Sequence, residues 1–127
     1  MAYAIINGVI YTEDEIISNG YLVIEAGKIR AIEKGSYDGD LEVLDAKGHH
    51  ILPGFIDIHI HGGYGEDAMD ASYDGLKHLA EQLLSEGTTS FLATTMTQSQ
   101  EAIDKALKNI RTYYEPVSYT HLTLPTT

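Results

Sequence analysis

The sequence predicts an α/β fold in which a small β-sandwich segment precedes two βα units of a parallel sheet. Two observations support this prediction. Short β-type runs separated by turn residues fill residues 1–52, and strand-like and helix-like patterns alternate after Pro53. Strands that alternate with helices favour a parallel sheet, either open or closed into a barrel.

The N-terminal segment contains the runs "YAIINGVIYT", "GYLVIEAGKIRAIEKG" and "LEVLDAKGHHIL". Within the second run, Ala26 and Gly27 separate two apolar stretches and predict a tight hairpin, because Gly27 can supply the positive φ that such turns require. This pattern is typical of a small all-β sandwich or meander.

The segment from residue 53 to residue 115 begins with a predicted strand, "GFIDIHI", followed by a loop over residues 62–70. Residues 72–86 predict a helix with a regular apolar stripe, and Gly87 is placed to end it. "TTSFLATT" predicts the next strand. Residues 97–111 predict a second amphipathic helix, with Thr97 and Gln100 as a capping box.

The predicted parallel sheet has too few strands to be stable alone. A (β/α)8 barrel needs about 250 residues, whereas about 60 lie between Pro53 and Glu115. We therefore expect the chain to be truncated. The uncharged tail "PVSYTHLTLPTT", residues 116–127, resembles a translated sequencing adapter and is interpreted as an artefact; a natural polar tail or a third strand is the alternative.

The composition narrows the class of protein. The chain has 127 residues, of which 43% are hydrophobic, and its formal net charge is −11. This acidity disfavours nucleic acids and anionic membranes as partners. No run of about 20 apolar residues or secretory signal is present, so we expect a cytoplasmic protein. Because cysteine is absent, His, Asp or Glu would have to hold any metal.

The candidate site lies at the end of the strand "GFIDIHI" and in the "HGG" that follows. Alternation places Phe55, Asp57, His59 and His61 on one face and three isoleucines, which can pack on helices, on the other. His59 and His61 lie about 6.6 Å apart along the strand, so both imidazoles can reach one cation.

Asp57 is one step further down the same face. It could fix the orientation of an imidazole or remain a hydrogen-bonded carboxylate. Gly62 and Gly63 allow a sharp turn and leave room for a ligand, which makes them a candidate substrate loop. Two alternating histidines can also simply line an ordinary sheet.

Other polar residues have plainer interpretations. His49 and His50 are expected to be half-exposed, His78 to be solvated on its helix, and Asp67 and Asp70 to form caps and turns.

The strings "LPGFIDIHIHGGYGEDAMDAS" and "EGTTSFLATTMTQS" make the pattern specific. Together they resemble the amidohydrolase superfamily, and within it the N-acetylglucosamine-6-phosphate deacetylase family. The resemblance extends to about Glu115. It implies the first two βα units of a metal-dependent (β/α)8 barrel, with His59 and His61 as ligands of one or two divalent ions, zinc or iron.

The resemblance also implies a function: hydrolysis of N-acetylglucosamine-6-phosphate to glucosamine-6-phosphate and acetate, by a homodimer acting on a small amino-sugar phosphate. Such enzymes carry their other ligands and catalytic acid beyond residue 115, so the chain as written is expected to be inactive. A cyclic-amide hydrolase similar to dihydroorotases and hydantoinases, or a non-catalytic metal-binding module, remains the alternative.

Overall fold

The structure is a computed structural model that describes residues 1–115. The predicted adapter-derived tail, residues 116–127, lies outside the described residues. The chain divides into two compact units, of which the first is Met1–Pro53 and the second begins at Gly54.

The first unit consists of β-strands in two sheets. Its strands are β1 (Ala2–Ile6), β2 (Val9–Tyr11), β3 (Ile16–Ile17), β4 (Gly20–Glu25), β5 (Lys28–Lys34), β6 (Glu42–Asp45) and β7 (His50–Ile51). Within residues 1–53, one sheet has the order β5-β4-β1-β6 and the other the order β3-β2-β7. Pairing is antiparallel except for β1 with β6 and β2 with β7.

The predicted hairpin between β4 and β5 is confirmed. Glu25 pairs with Lys28 across a two-residue turn, and Ala26 and Gly27 both have positive φ, at 51° and 75°. Positive φ at both central residues defines a type I′ turn, whose twist matches that of the paired strands.

Side chains from both sheets of the first unit meet in one hydrophobic cluster. Ile10 and Ile17 come from one sheet and Leu22 from the other, and partly buried isoleucines surround them. The most exposed large apolar residues of the sheets include Ile29 and Leu44. The small core formed by these two sheets therefore depends on a few branched side chains.

The second unit combines two small sheets with two helices. Its elements are β8 (Phe55–Ile60), β9 (Gly62–Gly63), β10 (Glu66–Asp67), a 3-10 turn (Ala68–Asp70), α1 (Tyr73–Ser85), β11 (Thr88–Ala93) and α2 (Gln100–Tyr114). As predicted, β8 and β11 pair in parallel, with Phe55 opposite Thr88 and Ile60 opposite Ala93. The connection through α1 therefore forms a βαβ unit.

Helix α1 packs on the strands through the predicted apolar stripe. Leu76, Leu79, Ala80 and Leu83 are buried, which matches the spacing of one helical face. Ser72 caps the first turn by accepting a hydrogen bond from the Gly75 backbone N–H at 2.9 Å. The Gly87 N–H donates to the Leu84 carbonyl at 3.0 Å, and Gly87 has a φ of 83°, so the helix ends where the sequence indicated.

Three local predictions were wrong. Helix α2 starts at Gln100 rather than residue 97, because Ser99 rather than Thr97 caps it through the Ala102 N–H at 3.3 Å. The predicted loop over residues 62–70 is instead a short hairpin and a 3-10 turn. The isoleucine face of β8 is not covered by the helices: Ile56 is 65% exposed and Ile58 is 74% exposed, because α1 packs against β10 and β11 instead.

None of the helices within residues 1–115 combines the length and the apolar character that crossing a membrane requires.

The core of the first unit yields a prediction about stability. Replacing Ile10, which is 2% exposed, with alanine should lower the free energy of unfolding by about 2–5 kcal/mol, because a buried cavity replaces packed methyl groups. The matched control is Ile29→Ala, at a strand residue that is 60% exposed, which should change it by less than about 1 kcal/mol. Urea unfolding followed by circular dichroism measures both, and equal losses would contradict the assigned core.

Candidate metal centre

The two histidines of the predicted site converge at the carboxyl end of β8. His59 lies within the strand and His61 directly follows it. Their Nε2 atoms are 3.3 Å apart, and the rings meet nearly edge to face with an interplanar angle of 82°. Side chains that start two residues apart on the strand therefore bring their outer nitrogens together.

The distance between the two nitrogens fits a shared cation. Two imidazole nitrogens bound to one tetrahedral zinc at about 2.1 Å each lie about 3.4 Å apart. Imidazole nitrogen is also a donor that zinc and iron accept. The residues present therefore suit a metal of this class.

The ring of His61 is oriented by the neighbouring parallel strand. Its Nδ1 lies 2.9 Å from the carbonyl oxygen of Thr94, the residue that follows β11. A carbonyl only accepts hydrogen bonds, so Nδ1 carries the hydrogen. In the neutral ring, Nε2 then has its lone pair free and directed toward His59. Metal-binding histidines in proteins commonly have such a backbone partner on the other nitrogen.

The backbone around His61 is fixed on both sides. The Thr94 N–H donates to the Ile60 carbonyl at 2.8 Å, and the Ala68 N–H donates to the His61 carbonyl at 2.8 Å. The first bond continues the β8–β11 pairing. The second joins the two ends of the hairpin, since His61 precedes it and Ala68 follows it. His61 is accordingly partly buried, whereas His59 is exposed.

Asp57 contacts the strand backbone. Its Oδ1 accepts a hydrogen bond from the His59 N–H at 3.0 Å. The carboxylate therefore restrains the strand backbone just before His59. Its role as an acceptor for an imidazole stays a prediction.

Gly62 and Gly63 form the first strand of the hairpin that follows the histidines. Gly62 pairs with Asp67 and Gly63 with Glu66, and the turn residues Tyr64 and Gly65 both have positive φ, at 56° and 85°. This is again the type I′ geometry. Both glycines stand next to His61, and their role as a substrate loop stays a prediction.

The other polar residues considered in the sequence make local contacts. His49 is exposed and its Nδ1 lies 2.7 Å from the Ala46 carbonyl. His50 packs against the Tyr11 ring. Asp67 and Asp70 form the capping box of the 3-10 turn, in agreement with the sequence. His78 is exposed, as expected from the sequence, and its Nδ1 lies 3.1 Å from Glu66 Oε1.

The histidine pair is an incomplete set of ligands in the described part of the chain. Within residues 1–115, no cluster of three or more His, Asp or Glu side chains is arranged to hold a metal ion. Sequence reasoning missed Thr94, because a backbone carbonyl has no side-chain signal. Only the strand pairing shows that this carbonyl faces His61.

Comparison with known proteins gives consistent results. The model of the amidohydrolase family matches residues 50–120. The N-acetylglucosamine-6-phosphate deacetylase of Bacillus subtilis (strain 168) is 49% identical over 104 residues, which cover 80% of this chain and 26% of that protein. The chain thus spans about a quarter of the length of this curated relative.

Solved structures share the fold to different degrees. The N-acetylglucosamine-6-phosphate deacetylase from Pasteurella multocida superposes with a TM-score of 0.85 and 32% identity, covering 98% of this chain and 33% of that one. A D-hydantoinase superposes with a TM-score of 0.56 and 27% identity, covering 90% of this chain and 24% of that one.

The hairpin glycines differ in what a side chain would meet, which yields a prediction. A Cβ at residue 62 would overlap the Glu66 carbonyl and lie 2.7 Å from the Asp67 Cα, whereas a Cβ at residue 63 would meet only Leu79 Cδ1 at an ordinary 3.5 Å. Gly62→Ala should therefore lower the free energy of unfolding by about 1–3 kcal/mol, and the matched control Gly63→Ala should change it by less than about 1 kcal/mol. Urea unfolding compares the two, and an equal effect would refute the hairpin register.

Proposed function

The chain belongs to the amidohydrolase family, and we propose that it is part of a metal-dependent hydrolase that converts N-acetylglucosamine-6-phosphate into glucosamine-6-phosphate and acetate. The observation that carries this proposal is the pair of Nε2 atoms 3.3 Å apart at the end of β8. Similarity to the Bacillus subtilis and Pasteurella multocida deacetylases supports the substrate class.

His59 and His61 are the proposed metal ligands, for one or two zinc or iron ions. The Thr94 carbonyl keeps the His61 ring in the tautomer whose Nε2 can bind. Asp57 restrains the strand that leads into the first ligand through the His59 N–H. When bound, an ion of this kind lowers the pKa of a coordinated water and polarises the acetamide carbonyl.

The proposed fold places this pair in an incomplete barrel. We assign β8 and β11 as the first two strands of a (β/α)8 barrel over residues 53–115, and the two sheets of residues 1–52 as part of a β-sandwich. Active sites of such barrels lie at the carboxyl ends of the strands, where His59, His61 and Thr94 are. The remaining ligands, the catalytic acid and the phosphate-binding groups are assigned outside residues 1–115.

A cyclic-amide hydrolase is the second candidate, since D-hydantoinase shares the fold. The higher TM-score with the deacetylase, 0.85 against 0.56, favours the sugar phosphate. A non-catalytic metal-binding module is the third candidate and would require the two histidines to suffice as ligands. A homodimer in the cytoplasm is part of the proposal for the whole protein, in keeping with the acidic composition.

The metal assignment is tested by titrating the chain with ZnCl2 in a calorimeter. His59→Ala and His61→Ala should each weaken zinc binding by more than about 100-fold, because each removes a ligand, and loss of a supporting group alone costs about 10–100-fold. The control is the double variant His49→Ala/His50→Ala, which removes two histidines of the first unit, one in β7 and one just before it. Zinc binding that survives in both single variants would show that the 3.3 Å contact is only a hydrogen bond between two rings.

The substrate assignment is tested with a chimera. The matching 104-residue segment of the Bacillus subtilis deacetylase is replaced by that of this chain, and acetate release from N-acetylglucosamine-6-phosphate is measured. We expect activity within about tenfold of the parent enzyme, and a loss of at least about 100-fold after His61→Ala. A folded chimera that opens hydantoin rings but releases no acetate would favour the cyclic-amide hydrolase.

A further inference from the structure

Glu66 joins the hairpin that follows the histidines to helix α1. Its Oε1 lies 3.1 Å from His78 Nδ1, and its side chain is 29% exposed while that of His78 is 46% exposed. Sequence reasoning gave neither residue a role. The two residues are twelve positions apart in the chain and belong to different elements, so the pair restrains tertiary structure rather than one local turn.

The second oxygen of Glu66 rests on the helix at a glycine. A Cβ added at Gly75 would lie 2.6 Å from Glu66 Oε2, so the missing side chain is what lets the carboxylate approach. Gly75 belongs to the first turn of α1, where backbone N–H groups and the helix dipole favour a negative charge. Glycine weakens a helix interior relative to alanine, and at residue 75 it leaves the space that this carboxylate occupies.

The hairpin in turn holds the backbone of His61. Asp67 pairs with Gly62, and the Ala68 N–H donates to the His61 carbonyl at 2.8 Å. Glu66 precedes Asp67 and Ala68 in the chain, and its side chain contacts His78 on α1. A displacement of Glu66 from α1 would therefore be passed through the hairpin to the backbone of His61.

We propose that Glu66, held by His78 and seated over Gly75, is a positioning residue that fixes the hairpin and thereby keeps His61 directed at its shared ligand site with His59. This inference rests on the proposed metal-binding role of His61. Glu66 acts through the backbone and has no assigned contact with metal or substrate.

The first test measures hydrogen exchange of the Ala68 amide by NMR, which reports the hairpin without any metal. Glu66→Ala should speed its exchange by about tenfold, and Glu66→Gln should rescue part of this loss, because the amide oxygen still accepts from the His78 ring. Glu81→Gln, which removes an exposed carboxylate paired with Lys77 on the same helix, is the matched control and should change nothing. Unchanged exchange in Glu66→Ala would overturn the proposal.

The second test uses Gly75. Gly75→Ala should speed Ala68 exchange when Glu66 is present, since the new methyl group displaces the carboxylate, and should have little effect in the Glu66→Ala background. If Gly75→Ala speeds Ala68 exchange equally in both backgrounds, its effect does not depend on Glu66, which would contradict the proposed contact.

Zinc titration separates the two proposals. If zinc binding depends on His59 and His61, Glu66→Ala should weaken it by about tenfold, the lower end of what supporting groups contribute, while Glu81→Gln should leave it unchanged. If Ala68 exchange responds to Glu66 but zinc does not bind through the histidines, the metal assignment fails and the role of Glu66 in holding the hairpin stands. If zinc binds through the histidines and its affinity ignores Glu66, the positioning role fails and the metal assignment stands.

Discussion

The hydrogen bond from the His61 ring to the Thr94 carbonyl is the interaction on which the candidate site depends. It joins the ends of two parallel strands, β8 and β11, and favours the tautomer of the neutral His61 ring in which the outer nitrogen carries no hydrogen. The parallel pairing therefore also affects the chemistry of the site, because the chain that follows β11 supplies the carbonyl that selects the tautomer of His61. A change in register between the strands would move that carbonyl away from the ring.

The short hairpin after β8 holds the backbone of His61 in place. Gly62 permits the return strand to pass close by, Tyr64 and Gly65 turn the chain, and Ala68 closes it on the His61 carbonyl. Each connection is local and inexpensive in chain entropy, since few residues separate its ends. The result is a partly buried histidine whose ring is held by the Thr94 carbonyl and whose backbone carbonyl is held by the Ala68 N–H.

Much of this arrangement could be predicted from sequence because it follows from periodicity. The alternation of "FIDIHIH" placed the two histidines on one face, and the stripe of α1 with Gly87 bounded that helix closely. The start of α2 could not be chosen correctly, since Thr97 and Ser99 are both good caps and only backbone geometry decides between them. The Thr94 carbonyl and the Glu66–His78 pair depend on contacts between distant residues, which a pattern in one segment does not encode. The isoleucines of β8 were expected to be covered, and periodicity gives the face of a side chain but not its neighbour.

The exposed isoleucines of β8 have a consequence for biosynthesis. Ile56 and Ile58 present branched side chains to water beside the exposed Leu92 of the paired strand, and each hydrophobic side chain left in water forgoes about 1.5–3 kcal/mol of burial. At about 5–20 residues per second, a ribosome completes residues 54–115 within seconds, while α1 and its strands can already fold. The emerging polypeptide then exposes an apolar surface on the strands that carry the histidine pair. Apolar surface exposed on an incompletely folded chain favours aggregation, so the time for which this surface stays uncovered affects how well the segment folds.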